Sequence, residues 1–135
     1  MKVKKILTIV LTLLGLNTVS ALANEPMLEA TPFSQIQKHI GKVPMMLEFG
    51  ATSCHSCVKM GRLLYKLKAK YPKSHIYFID IYKDKQSAKN YKIRMIPTQK
   101  YLDKHGKVVD THMGVIDEDE LEKKLKNLKI ISIVG

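Results

Sequence analysis

Residues 45–57 decide the fold, and they read Met-Met-Leu-Glu-Phe-Gly-Ala-Thr-Ser-Cys-His-Ser-Cys. The first five residues form a short apolar run with one acid in it, which is compatible with a buried strand. Small and polar residues follow at 50–53 and indicate a turn or loop. The pattern becomes helical from Cys54 onward. The stretch therefore predicts a strand–loop–helix junction with Cys54 and Cys57 at the start of the helix.

The helix that begins near Cys54 is amphipathic, and Pro72 ends it. Basic side chains occupy one face. The apolar residues recur at helical spacing on the opposite face, and they are Met60, Leu63, Leu64, Leu67 and Tyr71. Such a stripe predicts that this helix packs lengthwise against a hydrophobic core.

The remaining pattern predicts one domain around this junction. We expect helices over 33–40, 84–91 and 117–128, and strands over 75–81, 99–102 and 108–113. Residues 24–32 are typical of a leader or a short first strand, and Asp117 with Glu120 forms a capping-box-like pattern. This order predicts an α/β domain with a central mixed sheet and helices on both faces.

The first 23 residues have the features of a secretory signal peptide. Three lysines precede an apolar run over 6–16, and Ala21-Leu22-Ala23 is a small-residue cleavage site. Cleavage after Ala23 leaves a domain over 24–135, exported most simply to a periplasm. The alternative is an uncleaved N-terminal membrane anchor, although the run is short for a span of about 20 residues.

The net charge of +11 attracts anionic partners in principle. The lysines are spread over helix faces rather than clustered with aromatic residues, so we interpret them as a solvated surface. We expect no nucleic-acid partner for an exported chain, and we expect a monomer.

The chain has two cysteines, and they lie three positions apart. A disulfide between them encloses two residues and cannot brace a fold, so the pair indicates reactivity. The positive end of a helix favours a thiolate at Cys54, the species that attacks disulfides. Cys57 would then resolve the mixed disulfide.

Other interpretations of the two cysteines are weaker. A zinc site needs four ligands, and here two would have to come from distant side chains. Haem attachment needs a histidine directly after the second cysteine, where this chain has Val58. Two ordinary buried cysteines stay as a further alternative. We expect no metal and no cofactor. His55 either stabilises the Cys54 thiolate as an imidazolium or points into solvent, and the sequence leaves both open.

Several segments together resemble the thioredoxin family. Residues 47–57 resemble its active-site strand and loop, and residues 93–98, which contain Ile96-Pro97-Thr98, resemble its cis-proline loop. Residues 104–108 match its hairpin, and Gly114 matches the glycine before its last helix. The resemblance covers nearly all of 45–128 and implies a thioredoxin fold with thiol–disulfide oxidoreductase activity.

The resemblance also implies a role for each matching residue. Cys54 is the nucleophile, Cys57 the buried resolving cysteine, and together they form the redox disulfide. Glu48 occupies the place of a buried acid that assists proton transfer; an acid at a strand end that reaches solvent is the alternative. The expected substrate groove contains His55, Ser56, Ile96, Pro97 and Thr98, with Pro97 in the cis form rather than in an ordinary trans turn.

The chain departs from the family pattern near the motif. Gly50 and Ser53 replace two tryptophans, His55-Ser56 replaces the usual Gly-Pro, and Phe78 stands where a lysine is common. Gly61 and Arg62 also replace an alanine and a kinking proline. These differences favour a specialised exported relative over a general cytoplasmic one.

Three functions follow from this pattern. The first is a reductase of protein disulfides, recharged by a membrane or periplasmic redox partner, which Glu48 and Ile96 favour. The second is a Dsb-style thiol oxidase or isomerase, which His55 favours. The third is a binding or chaperone module without turnover. The apolar tail over 129–135 is either an extra strand or a partner contact.

Overall fold

The computed structural model describes residues 25–132, so the predicted signal peptide over 1–23 lies outside it. Over the described residues the chain forms four helices and four strands. The helices are α1 (Phe33–Gln37), α2 (His55–Lys70), α3 (Lys85–Asn90) and α4 (Glu118–Asn127). The strands are β1 (Met45–Gly50), β2 (Ile76–Asp80), β3 (Thr98–Leu102) and β4 (Val108–Met113).

The strands form one mixed sheet in the order β2-β1-β3-β4. β1 lies at the centre, parallel to β2 and antiparallel to β3, and β4 pairs antiparallel with β3. Every residue of β1 is buried, which explains why its sequence is almost continuously apolar. The register places Glu48 between Phe78 of β2 and Gln99 of β3.

Helices cover both faces of the sheet, as the sequence predicts. On one face, Met46 and Tyr101 pack with Met60 of α2 and with Leu121 and Leu125 of α4. On the other face the core joins the remaining side of β1 to α1 and α3; it contains Ile36, Leu47, Phe49, Ile79 and, partly buried, Ala88 and Tyr91. The apolar stripe of α2 therefore packs where its spacing predicts.

Three local predictions differ from the structure. The first helix ends at Gln37 rather than near residue 40, because residues 38–42 form turns and Gly41 has a φ of +81°. Of the two alternatives predicted for residues 24–32, a leader or a short first strand, the strand does not form over 25–32, which contain only a single bridge, from Ala30 to Phe78. Asp117 precedes α4 without a side-chain capping bond, so the predicted capping box is wrong.

The tail after α4 is part of the core rather than an extra strand. Lys129 has a φ of +58° and turns the chain back, and the Ile130 N–H donates to the Leu125 carbonyl. Ile130 and Ile131 are consequently buried against the α2 and α4 side of the sheet. The final residues, 133–135, lie outside the described part. Among residues 25–132, no helix has the length and apolar character that crossing a membrane requires.

Candidate active site

Cys54 and Cys57 form a disulfide at the N-terminal end of α2. Cys54 is the N-cap residue, and its Sγ accepts a hydrogen bond of 3.3 Å from the Cys57 N–H. Their Cα atoms are 5.1 Å apart. Cys57 is completely buried, whereas Cys54 is partly exposed. An incoming disulfide can therefore reach Cys54 and cannot reach Cys57.

The helix end favours negative charge on the exposed sulfur. Unpaired N–H groups at a helix start carry partial positive charge, and one of them already points at the Cys54 Sγ. The first turn of α2 contains no acid that would offset this field. In the reduced protein the same arrangement stabilises a Cys54 thiolate.

Gly50 lets the end of β1 approach Cys57 closely. A Cβ at this position would lie 2.9 Å from Cε2 of Phe78 and 3.2 Å from Sγ of Cys57. No side chain fits there without movement of its neighbours. The absence of a side chain at Gly50 therefore leaves room for both the Phe78 ring and Cys57 beside the end of β1.

Glu48 is completely buried in the middle of β1. Side chains alternate along a strand, so Glu48 points to the same face as Gly50 and hence toward the side of Cys57. Burial raises the pKa of Glu48 from its ordinary 4.5 to about 8, and a hydrogen bond from Gln99 partly opposes this rise. A carboxyl group with this pKa exchanges its proton near neutral pH.

Gln99 of β3 is the site residue that the sequence analysis missed. Its Nε2 donates to Oε1 of Glu48 at 3.3 Å and to the Gly114 carbonyl at 3.1 Å. The signal in the sequence is a polar residue in a buried strand; only the β1–β3 register shows that it lies directly opposite Glu48.

The loop before β3 forms the opposite wall of the site. The Ile96–Pro97 peptide bond is cis, Pro97 is buried and Ile96 is partly exposed. Thr98 is buried and its Oγ1 donates to the Met95 carbonyl at 2.8 Å. The Gly114 N–H donates to the Pro97 carbonyl at 2.8 Å, so this loop is tied to the turn after β4.

The two residues between the cysteines extend outward. His55 is exposed and Ser56 is partly exposed. Neither makes a side-chain hydrogen bond among the described residues. Both therefore lie where an approaching partner would meet them.

Exposed apolar side chains border the site, and we call them the apolar rim: Tyr82, Met95, Met113 and Val115. Met95 precedes the cis-proline loop, while Met113 and Val115 flank Gly114. Tyr82 follows β2, next to Ile81, whose N–H donates to the Gly50 carbonyl. The exposed fractions of Tyr82 and Met113 exceed 60%, at 63% and 62%, so these side chains are available for contact.

The structure also has a cavity that lies away from the cysteine pair. A cavity of about 490 Å³ lies between the C-terminal end of α2 and residues 130–132, remote from Cys54. Across residues 25–132, no three His, Cys, Asp or Glu side chains are grouped as a metal site would require.

Comparison with known proteins agrees with this geometry. A family model described as Thioredoxin matches residues 26–127. Mitochondrial thioredoxin of Mus musculus is 35% identical over 88 residues, which are 64% of this chain and 52% of that protein. The chain thus spans about half the length of its mitochondrial relatives. Thioredoxin of Geodia cydonium is 26% identical over 97 residues, with 72% of this chain and 91% of that protein covered.

Solved structures show the same fold. Mitochondrial thioredoxin 3 from Saccharomyces cerevisiae, in its oxidized form, superposes with a TM-score of 0.60 at 25% identity. Fasciola hepatica thioredoxin superposes with the same TM-score of 0.60 at 21% identity. Each comparison covers 71% of this chain and 89% of the other. With its mixed four-stranded sheet, flanking helices and cysteine pair at a helix start, the chain belongs to the thioredoxin family.

Proposed function

We propose that this protein is an exported thiol–disulfide oxidoreductase that reduces disulfides of other proteins. The observation that carries the proposal is the pairing of a partly exposed Cys54 at a helix N-cap with a buried Cys57 one turn later. An accessible attacking sulfur and a protected resolving sulfur are what a two-step exchange requires.

The reaction begins with the reduced protein. The Cys54 thiolate attacks a substrate disulfide, forms a mixed disulfide and releases one substrate sulfur as a thiolate, which takes a proton from solvent. Cys57 then loses its proton and attacks the Cys54 sulfur. The second substrate sulfur leaves, so the substrate gains two electrons and the protein holds the Cys54–Cys57 disulfide. A thiol-bearing redox partner, in the membrane or periplasm, must return those electrons.

Glu48 is the proposed acceptor for the Cys57 proton. It lies on the β1 face that Cys57 packs against. Its pKa of about 8 leaves Glu48 mostly protonated at neutral pH, and the ionised fraction is the form that accepts a proton. Because Cys57 is buried, its proton needs a nearby acceptor when the sulfur attacks.

The apolar rim favours unfolded or extended protein segments as substrates. Tyr82, Met95, Met113 and Val115 expose apolar surface on the sides of the site. Methionine side chains adapt to differently shaped apolar partners, which suits a protein that acts on several disulfides.

Export is proposed from residues 1–23. The order of lysines, apolar run and Ala-x-Ala supports a cleaved signal peptide. N-terminal sequencing of the protein from cells tests this directly. A mature chain beginning at Asn24 supports export with cleavage, whereas an intact N-terminus in the membrane fraction indicates an anchor.

The activity is tested by insulin reduction with three variants. Cys54→Ser should abolish turnover, because the remaining thiol, that of Cys57, is buried and out of reach of an incoming disulfide. Cys57→Ser should accumulate mixed disulfides with substrate, since the resolving step is lost. Ser34→Ala, an exposed change on α1, serves as the matched control and should keep full activity. Full insulin reduction by Cys57→Ser would contradict the two-cysteine mechanism.

The redox potential separates the reductase from an oxidase. A value near about −270 mV is typical of thioredoxin, and one near about −120 mV is typical of a strong oxidant. We expect the former, because a buried acid and an isoleucine before the cis-proline resemble reducing members of the family. A value near that of the oxidant would overturn the proposed direction.

A further inference from the structure

Gln99 has a buried side chain that makes hydrogen bonds to two different segments of the chain. It is completely buried, and its Nε2 lies between two acceptors, Oε1 of Glu48 and the carbonyl of Gly114. These two contacts fix the orientation of the amide, because its oxygen in the same place would face two other oxygens. Both N–H groups of the amide are therefore used.

Two oxygens beside this amide have no donor among the described residues. They are Oε2 of Glu48 and Oε1 of Gln99, and both are buried. A buried acceptor without a donor is costly. An ionised Glu48 has no hydrogen to give, whereas a protonated Glu48 has one O–H. A proton on Oε2 of Glu48 supplies the donor that Gln99 Oε1 lacks, and it turns the two side chains into a paired acid and amide.

The amide also connects Glu48 to the loop that faces the substrate. Gln99 donates a hydrogen bond to the Gly114 carbonyl, and the Gly114 N–H donates one to the Pro97 carbonyl at 2.8 Å. A chain of hydrogen bonds thus runs from the buried acid to the cis-proline wall of the site. Gly114 has a φ of +94°, and no atom lies within 4 Å of the position a Cβ would take.

We infer that Gln99 is a positioning residue that senses the protonation of Glu48 and transmits it through Gly114 to the Pro97 loop. When Glu48 takes up a proton on Oε2, its O–H donates to Oε1 of Gln99 and completes the acid–amide pair. The strength of the hydrogen bond from Gln99 to the Gly114 carbonyl then changes. The inference rests on the proposed function, in which that proton comes from Cys57. The hydrogen bonding of the substrate-facing loop would then depend on whether Cys57 has lost its proton.

Other titratable groups near Glu48 are few. Cys57 on α2 does not titrate as a disulfide, and burial raises the pKa of Tyr101 on β3 far from neutral pH. Asp110 of β4 and Glu120 of α4 act on Tyr101. His112 requires attention, because its ring nitrogen lies 3.2 Å from the Val115 carbonyl, next to Gly114. Replacement of His112 by glutamine removes this ring from the neighbourhood of Gly114.

The test is a pH titration by NMR of the disulfide form, with every protein carrying His112→Gln. The Glu48 carboxyl carbon and the Gly114 amide should shift with the same midpoint. Glu48→Gln should leave the Gly114 amide flat across the range. In Gln99→Met, which keeps the side-chain length and removes the amide, Glu48 should still titrate while Gly114 loses most of its shift.

Two results would overturn the inference. One is a Gly114 amide that ignores the Glu48 midpoint when Gln99 is present. The other is a Gly114 shift of unchanged size in Gln99→Met, which would place the coupling elsewhere. If Gln99→Met does not fold, the side-chain NH₂ resonances of Gln99 give the second measurement, and they too must follow the Glu48 midpoint. No substrate is involved, so this result is independent of insulin reduction.

Discussion

Replacing Glu48 with glutamine should remove a large part of the pH dependence of stability between pH 5 and pH 8. Burial raises the pKa of this carboxyl group to about 8, whereas the unfolded chain ionises near 4.5. The folded protein therefore binds a proton that the unfolded protein has already lost in this window. The contribution of Glu48 to stability is therefore greatest below pH 4.5 and falls as the pH rises, until Glu48 also ionises in the folded protein.

The size of the effect follows from the same two values. Each pH unit in the window costs about 1.4 kcal/mol of unfolding free energy. From pH 5 to pH 8 the loss reaches about 3.5 kcal/mol, because the slope is smaller near each of the two pKa values; this is a large share of the 5–15 kcal/mol typical of a domain. Glutamine has nearly the same shape and no charge, so it removes the titration without leaving a cavity.

The assay is denaturant unfolding of the disulfide form of both proteins at pH 5, 6, 7 and 8. The difference between their stabilities isolates Glu48, because His75, whose pKa is lowered by burial, titrates in both. The carboxyl groups of Asp110 and Glu122 have lowered pKa values and act at more acidic pH. Equal pH slopes for the two proteins would refute the assignment of Glu48 as a buried, neutral acid.

Three further substitutions have defined outcomes. His55→Ala should make the protein a weaker oxidant by no more than about 30 mV, because a cationic side chain next to Cys54 would stabilise its thiolate. Equilibration with glutathione measures the potential, and an unchanged value would show that His55 does not act on Cys54. Gly50→Ala should cost about 1–3 kcal/mol of unfolding free energy, because its Cβ collides with the ring of Phe78 and crowds Cys57. Gly114→Ala is the control, because its Cβ would enter open space; it should cost about 1–2 kcal/mol of unfolding free energy through the positive φ alone. A Gly50→Ala protein as stable as the native one would contradict the close approach of β1 to Cys57.

The sequence predicted most of the architecture because the strongest patterns lie in the core. The spacing of Met60, Leu64 and Leu67 on α2 needs only one partner surface, and the sheet supplies it. The apolar run of β1 predicts a strand equally clearly, since the strand is buried on both sides. Long periodic segments of this kind depend little on what the rest of the chain does.

The missed features depend on contacts between distant segments. Gln99 is 51 positions from Glu48, and nothing local reveals that the two are paired across β1 and β3. Ile130 and Ile131 look like an exposed apolar tail until Lys129 turns them back onto the core. The first helix was predicted too long because its apolar spacing continues through residues 38–40, where the backbone already forms turns ahead of Gly41.

The two outer edges of the sheet are protected in different ways. The single bridge from Ala30 covers part of β2, where the Thr31 N–H donates to the Phe78 carbonyl. In the described part of the chain β4 has no strand on its outer side, and Val108 and Val109 are exposed there. The register shift between Tyr101 and Leu102 distorts that edge. Because irregular edges pair poorly with other strands, this bulge discourages self-association into aggregates along β4.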